Sequence, residues 1–334
     1  MTAPLLLSRN EIDDVLWNEL VKNSQQQIIY AYSWYLDVVC DHWQAFVWPS
    51  VEDYQVIMPL PFKRKWLIEV IEQPLFCQYL GIFSLHDLSA TVTEKFLKSL
   101  ANKFSYISSY HFNPLNTAIL RLALPNFSAF RIRENTTFWL SLSVSYEDIF
   151  AEYSPDRKLN LKRSFAEKWS IKKSEDINPL IELFQRNHES KIQGGVRKSA
   201  YKLLSDLLIQ INKHESATLF YALRNGSIHA GVLIIKSGDK AIYLFNAADE
   251  AGRRGNARTF LLDNFFQYNS GSPIFLDFES PEVRSIAKFY QGFGAKPMRF
   301  LEIGKNTLPS PLRQIQNWRI KKLVSTRQAP FEDF

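Results

Sequence analysis

The residues of this chain best suited to hold an anion are Gly252-Arg253-Arg254-Gly255-Asn256-Ala257, between an apolar strand and an amphipathic helix. A helix N-terminus offers unpaired backbone N–H groups and a positive dipole end, which together attract anions. Gly252 and Gly255 would let the backbone approach a ligand closely, and Arg253 and Arg254 carry charge suited to phosphate. An ordinary exposed loop would carry the same residues, so the segment alone leaves both readings open. Glu279 closes the next short apolar strand, Ile274 to Phe278. Raised in pKa by burial, its carboxylate would take a proton from an amine; otherwise it caps the helix expected from Pro281, as Ser280 also could. Asp277 alternates with Phe278 and reads as a hydrogen-bonded strand residue on the other sheet face. The sequence has no Ser/His/Asp series, CxxC pair or HExxH motif, which counts against hydrolase and metalloenzyme chemistry.

Such residues need strands and helices to hold them. Thr218–Arg224 and His229–Lys236 read as strands joined through Asn225-Gly226, a strong hairpin signal, and the strand 241–246 follows. Three antiparallel strands therefore lead into the anion segment. After it come a helix, the strand 274–278, a helix from Pro281 to Gln291 stopped by Gly292-Phe293-Gly294, and a last strand from Met298 to Ile303. Upstream, helices are expected near 145–151, 155–168, 176–187 and 196–214. The first half reads as helices at 9–24, 33–40 and 89–103 with strands at 43–48, 53–60, 63–71, 106–112 and 117–122. This pattern gives a mixed α/β (α+β) chain of two domains, residues 1–144 and 145–307, with the boundary near Val144.

A chain of 334 residues is long enough for two cores. Apolar residues make up 46% and charged residues 22%, an ordinary globular balance that excludes a disordered polyelectrolyte. Aromatics reach 14%, which fits aromatic-filled cores or aromatic-lined pockets. The net charge of +6 permits anionic ligands without requiring them. The excess is concentrated between Ser154 and Lys173, in Arg157, Lys158, Lys162, Arg163, Lys168, Lys172 and Lys173. A solvated helix face and an electropositive wall beside phosphate both fit that run. Cys40 and Cys77 read as buried free thiols of a reducing compartment. The start lacks a basic leader and no apolar run reaches the length of a membrane span, so a cytoplasmic location is expected.

The segment LDFESPEVRSIAKFYQGFGAKP, following the strand, phosphate-type loop and helix, resembles the second half of GNAT-type acyltransferases, and more narrowly the Fem-type (FemAB-like) aminoacyltransferases. The resemblance is strong over residues 215–305, weaker over 130–214 and faint before that. It implies two GNAT-like domains, each a mixed, mostly antiparallel sheet flanked by helices, with residues 308–334 packing back on the first. It also implies an N-acyltransferase moving an acyl group from acetyl-CoA or another acyl-CoA to a small-molecule or peptide-like amine, without a metal. The Fem-type variant uses aminoacyl-tRNA as donor, and a non-catalytic binding protein on a degenerate fold is the rival class. GNAT loops run Gln or Arg, two variable residues, Gly, one variable residue, then Gly or Ala; Gly255 and Ala257 match, whereas Gly252 stands where Gln or Arg is usual. On this likeness residues 252–257 hold the donor's diphosphate, and main-chain N–H groups around Phe245 and Asn246 hold its carbonyl. Tyr290 protonates the leaving group and Glu279 is the base; Tyr290 could equally be a packing aromatic. His188, just before Gly194-Gly195, is placed near a substrate loop. Gln73 and Gln78, in the aromatic stretch 72–83, are candidates to face the acceptor, or to serve packing alone.

Overall fold

The computed structural model describes residues 3–65, 68–192, 194–279 and 283–314. They fall into two compact units, Met1–Thr136 with Arg299–Phe334, and Thr137–Met298. In chain order the first unit contains β1 (Leu5–Ser8), α1 (Asp14–Asn23), α2 (Ser33–Val39), β2 (His42–Pro49), β3 (Tyr54–Lys65), β4 (Ile68–Ile71), β5 (Phe83–Ser84), α3 (Ala90–Lys103), β6 (Tyr106–His111), α4 (Thr117–Ala123) and the start of β7 (Arg131–Ser141). The second continues through α5 (Tyr146–Ala151), α6 (Pro155–Ala166), β8 (Ser170–Ser174), α7 (Asn178–Asn187), α8 (Lys198–His214), β9 (Ser216–Arg224), β10 (Ser227–Ser237), β11 (Lys240–Ala248), α9 (Glu250–Arg254), α10 (Ala257–Asn269), β12 (Phe275–Asp277) and α11 (Arg284–Gln291). The last strand, β13 (Lys296–Asn306), lies mainly in the first unit. The division lies within β7, between Thr136 and Thr137, a few residues before Val144. A division inside two long strands leaves no Gly, Pro or charge signal in the sequence. Residues 315–334, including Trp318 and the basic run from Arg319, lie outside the described residues.

The N-terminal unit orders its strands β1-β2-β3-β4-β6-β13, with β5 on β3; β4 and β6 run parallel and the other pairs antiparallel. Trp17, Tyr30, Tyr35, Tyr79, Phe83 and Phe112 are fully buried there, so much of the aromatic content is core. Residues 117–122, expected as a strand, form α4 because Thr117, Leu120 and Ala123 bury at helical spacing. The strand expected over 63–71 is instead the end of β3 paired back on β4. Asp13 caps α1 by accepting the Val15 and Leu16 N–H groups, which starts the helix later than its apolar pattern. The Gln73 side-chain amide donates to the Cys77 carbonyl at 2.8 Å and its oxygen accepts the His111 N–H, and the main-chain carbonyl of Gln78 sits 2.8 Å from His111 Nδ1. Cys77 is buried, whereas Cys40 is half-buried.

The second unit orders its strands β7-β12-β11-β10-β9-β8. Asn225 and Gly226 both take positive φ, 52° and 78°, as the hairpin between β9 and β10 requires. The decisive feature is the pairing of β11 with β12. It is parallel and covers only Lys240/Phe275, Ala241/Leu276 and Ile242/Asp277. Beyond these rungs β12 ends while β11 runs on to Ala248, so the two strands fork. Leu244 is an extra residue opposite β10, a bulge that bends β11 just past the fork. Helices α5, α6 and α10 pack together over the core, which holds Phe138, Tyr243, Phe265, Phe266, Phe278, Tyr290 and Phe293.

One buried group here is not at the fork. Asp263 of α10 is 2% exposed and accepts hydrogen bonds from the Tyr146 and Tyr153 hydroxyls and the Gln267 amide. Burial outweighs these bonds and raises its pKa, so its stabilising, protonated state is lost as pH climbs through the folded value. Asp263→Asn keeps the tyrosine acceptor and should raise the melting temperature at pH 7 by a few degrees, with the gain vanishing below about pH 4. A lower melting temperature at pH 7 would contradict this.

Candidate active site

The segment expected as an open anion loop is helical. Asp249 caps α9 by accepting the Gly252 N–H at 2.7 Å, and Arg253 N donates to Asp249 O, Gly255 N to Ala251 O and Asn256 N to Arg253 O. These four amides are occupied within the chain. The two glycines serve close packing. A Cβ on Gly252 would stand 2.1 Å from the His229 carbonyl, and one on Gly255 would stand 2.5 Å from the Trp169 ring. Trp169 also donates to the Gly255 carbonyl at 2.8 Å, so enlarging Gly255 would disturb the fold whatever the site binds. The Arg253 guanidinium donates to the Ala248 carbonyl, and the exposed Arg254 pairs with Glu250 at 2.5 Å. The amide run expected at 252–256 is thus largely used up. The reason is a tertiary one: the cap comes from Asp249, and the walls from His229 and Trp169.

The first turn of α10 is different. Asn256 takes a left-handed conformation (φ 54°) and its side chain does not cap the helix. The first intrahelical bond runs from Phe260 N to Asn256 O, so the N–H groups of Ala257, Arg258 and Thr259 precede it. Arg157 of α6 reaches this turn. It is 7% exposed, donates from Nη1 to Thr259 Oγ1 at 2.7 Å and from Nη2 to the Phe289 carbonyl at 3.2 Å, and its Nε meets no hydrogen-bond partner. Its guanidinium lies 4.1 and 4.4 Å from the ring centroids of Phe289 and Phe293. No carboxylate among the described residues forms a salt bridge with it. Burial pushes its pKa down to about 10, with the neighbouring Arg258 adding to the fall. Arg258 itself donates to the Asn246 side chain at 2.9 Å and lies 5.6 Å from the Phe289 ring centroid. Two guanidiniums that share the Phe289 ring beside a helix N-terminus make this turn locally positive.

Tyr290 of α11 is buried and stacks on Phe278 at 4.6 Å, near the fork. Burial first, then Tyr243 and Glu279, hold its hydroxyl well above the ordinary phenol value. Glu279 follows β12 directly and is half-buried, with φ at 61°, a conformation costing a side-chain-bearing residue roughly 1–2 kcal/mol. Its N–H donates to Asp277 Oδ1 at 2.8 Å. Asp277 also accepts from Thr137 and is buried, a hydrogen-bonded group but not a solvated one. The helix after Glu279 begins at Arg284, and Ser280 and Pro281 lie outside the described residues.

His188 caps the end of α7; its Nε2 lies 3.1 Å from the Ala248 carbonyl, and its ring stacks on Phe184, which in turn meets Phe245. It holds the end of β11. The structure thus gathers Asn246, Ala257, Glu279 and Tyr290 near the fork, and adds Arg157, Tyr243, Arg258 and Thr259. Arg157 stood in the basic run, but periodicity could not show that it alone turns inward. Its neighbours Lys162, Arg163, Lys168, Lys172 and Lys173 are exposed.

Residues 155–269 match the family described as acetyltransferase (GNAT) domain. That match covers about a third of the chain, lies within the second unit and includes β11 and the first turn of α10. Over nearly the whole chain the fold is that of a crystal structure of FemX, at 12% identity and a TM-score of 0.66, covering 91% of this chain and 98% of that one. A tandem GNAT protein from the clavulanic acid biosynthesis pathway matches at 12% identity and TM-score 0.53, covering 92% and 98%. L-PGS from Bacillus licheniformis matches at 11% and 0.52, covering 92% and 96%. A search of curated protein sequences gives no match. The chain thus shares the two-domain fold of these structures, and the GNAT-domain match within its second unit supports acyl transfer generally. Among the described residues no helix is long and apolar enough to cross a membrane, and no cluster of metal-ligating side chains occurs.

Proposed function

We propose that the C-terminal unit transfers an acyl group from a phosphate-bearing donor to an amine. The observation that carries this reading is Arg157: a buried guanidinium with an unmet Nε and no carboxylate partner among the described residues, set between the first turn of α10 and α11. Burying an unpaired charge costs several kcal/mol, and a bound phosphate would repay that cost. The donor phosphate lies against Arg157, Arg258 and the N–H groups of Ala257–Thr259. The donor carbonyl lies at the fork, on main-chain N–H groups of β11 near Phe245 and Asn246. Glu279 takes the amine proton, and Tyr290 gives a proton to the leaving group.

Acyl-CoA and aminoacyl-tRNA both fit that chemistry, and two observations favour the second. The amides at Gly252, Arg253, Gly255 and Asn256 that would cradle a diphosphate are already bonded, which leaves guanidiniums to grip a phosphate. A phenol held well above its usual pKa also suits the strongly basic alkoxide released from a ribose ester better than a thiolate, whose acid has a pKa of about 8.5. The exposed Lys162, Arg163, Lys168, Lys172 and Lys173 would then meet the RNA backbone. Calorimetry with alanyl-tRNA and with acetyl-CoA tests the reading. Saturable alanyl-tRNA binding that weakens steeply with salt is expected; acetyl-CoA binding alone selects the thioester donor, and binding of neither leaves a non-catalytic protein on this fold.

A further inference from the structure

Tyr243 is the first residue of β11 past its last rung with β12. Its ring meets Phe278 edge-on at 5.9 Å and Tyr290 edge-on at 6.3 Å, the two aromatics that stack on one another at the fork. The residue is 3% exposed, and its hydroxyl is buried without any hydrogen-bond partner. Several other buried phenols find acceptors, Tyr110 on the Pro59 carbonyl, Tyr153 on Asp263 and Tyr221 on the Asp176 carbonyl, whereas the Tyr201 hydroxyl, away from the fork on α8, shares the unmet state. An unmet buried hydroxyl is destabilising, and phenylalanine would fill the same space without it. A group entering the fork would give this hydroxyl the partner it lacks, and the two aromatics it meets place its ring there.

We propose that Tyr243 is a further catalytic residue, whose hydroxyl donates a hydrogen bond to the carbonyl oxygen of the acyl donor. This rests on the acyl-transfer reading above and adds to it a side-chain donor beside the main chain of β11. In the step it serves, the amine lone pair forms the C–N bond while the carbonyl π pair moves onto oxygen. That oxyanion accepts the Tyr243 hydrogen bond, which strengthens as charge develops. Glu279 takes the amine proton. The oxygen pair then re-forms C=O, the bond to the leaving oxygen or sulfur breaks, and the leaving atom takes its proton from Tyr290.

The test is Tyr243→Phe, which keeps the ring contacts and removes the unmet group, so the variant should melt no lower than the wild type. Binding is measured for two probe pairs that differ at the carbonyl: acetyl-CoA against S-ethyl-CoA, and alanyl-tRNA against uncharged tRNA. The wild type should favour the acylated member of the pair it binds by about tenfold, the scale of one hydrogen bond, and Tyr243→Phe should abolish that preference while binding the other member unchanged. A preference that survives the substitution, or is absent from the wild type, overturns the role of Tyr243 and leaves the donor site standing. Failure of the wild type to bind any of the four probes overturns the donor site itself, and the role of Tyr243 with it.

Discussion

Arg157→Met should lower affinity for the phosphate-bearing donor by about a hundredfold while leaving the protein as stable as the wild type, or more so. The two halves of this expectation have one cause. A guanidinium buried between the first turn of α10 and the rings of Phe289 and Phe293 lacks a carboxylate partner among the described residues and holds its Nε unbonded. Exchanging a buried charge for a well-packed apolar side chain is often neutral or stabilising. Methionine keeps the contact with both rings through its thioether. The Thr259 hydroxyl can turn to a carbonyl of the preceding helical turn, so it is not stranded. A phosphate, by contrast, loses charge-assisted hydrogen bonds worth roughly 1.5–3 kcal/mol each, and two of the weaker ones amount to about two orders of magnitude in affinity. Calorimetry with the donor and a thermal melt check both halves. An ordinary structural arginine would behave in the opposite way, with lost stability and unchanged affinity. Arg157→Lys should recover only part of the binding, because a single ammonium cannot span Thr259, the Phe289 carbonyl and a phosphate together.

Tyr290→Phe should slow acyl transfer by a factor of roughly 10² to 10³ with donor affinity unchanged, the range expected on losing a positioned acid. The measurement is single-turnover consumption of the bound donor in the presence of an excess small amine. Because burial and the nearby Tyr243 and Glu279 hold the phenol above its usual value, it stays protonated through neutral and moderately alkaline pH. The wild-type rate should therefore show no alkaline fall below about pH 10, the ordinary phenol value. Full turnover by Tyr290→Phe would reduce Tyr290 to a packing residue stacked on Phe278. An alkaline fall near neutrality would place the proton donor elsewhere.

Local signals in the chain determine a good deal of this. Asn225-Gly226 specifies its hairpin because both positions need positive φ, and Ser89, Ser145 and Ser154 each cap a helix by accepting a backbone N–H of its first turn. The succession of three antiparallel strands, a helix, a short strand and the helix ending at Gly292 is legible for the same reason. Each of these elements is fixed by neighbours a few residues away. The resemblance carried by residues 276–297 rests on that local order.

The character of the site was decided by tertiary structure. Gly252 and Gly255 look the same in sequence whether a ligand or a protein atom fills the space of their missing Cβ, and here the His229 carbonyl and Trp169 fill it. Seven basic residues between 157 and 173 carry one formal charge each, yet only Arg157 is buried, because α6 presents that position to α10 and α11. Tyr243 is one apolar residue of a strand until β12 ends at Asp277 and leaves its hydroxyl at the fork. A chain can specify its turns and periods through neighbours in sequence, but burial of a charge or desertion of a hydroxyl arises from groups distant in sequence, as Tyr290 is from Tyr243 and Thr259 from Arg157.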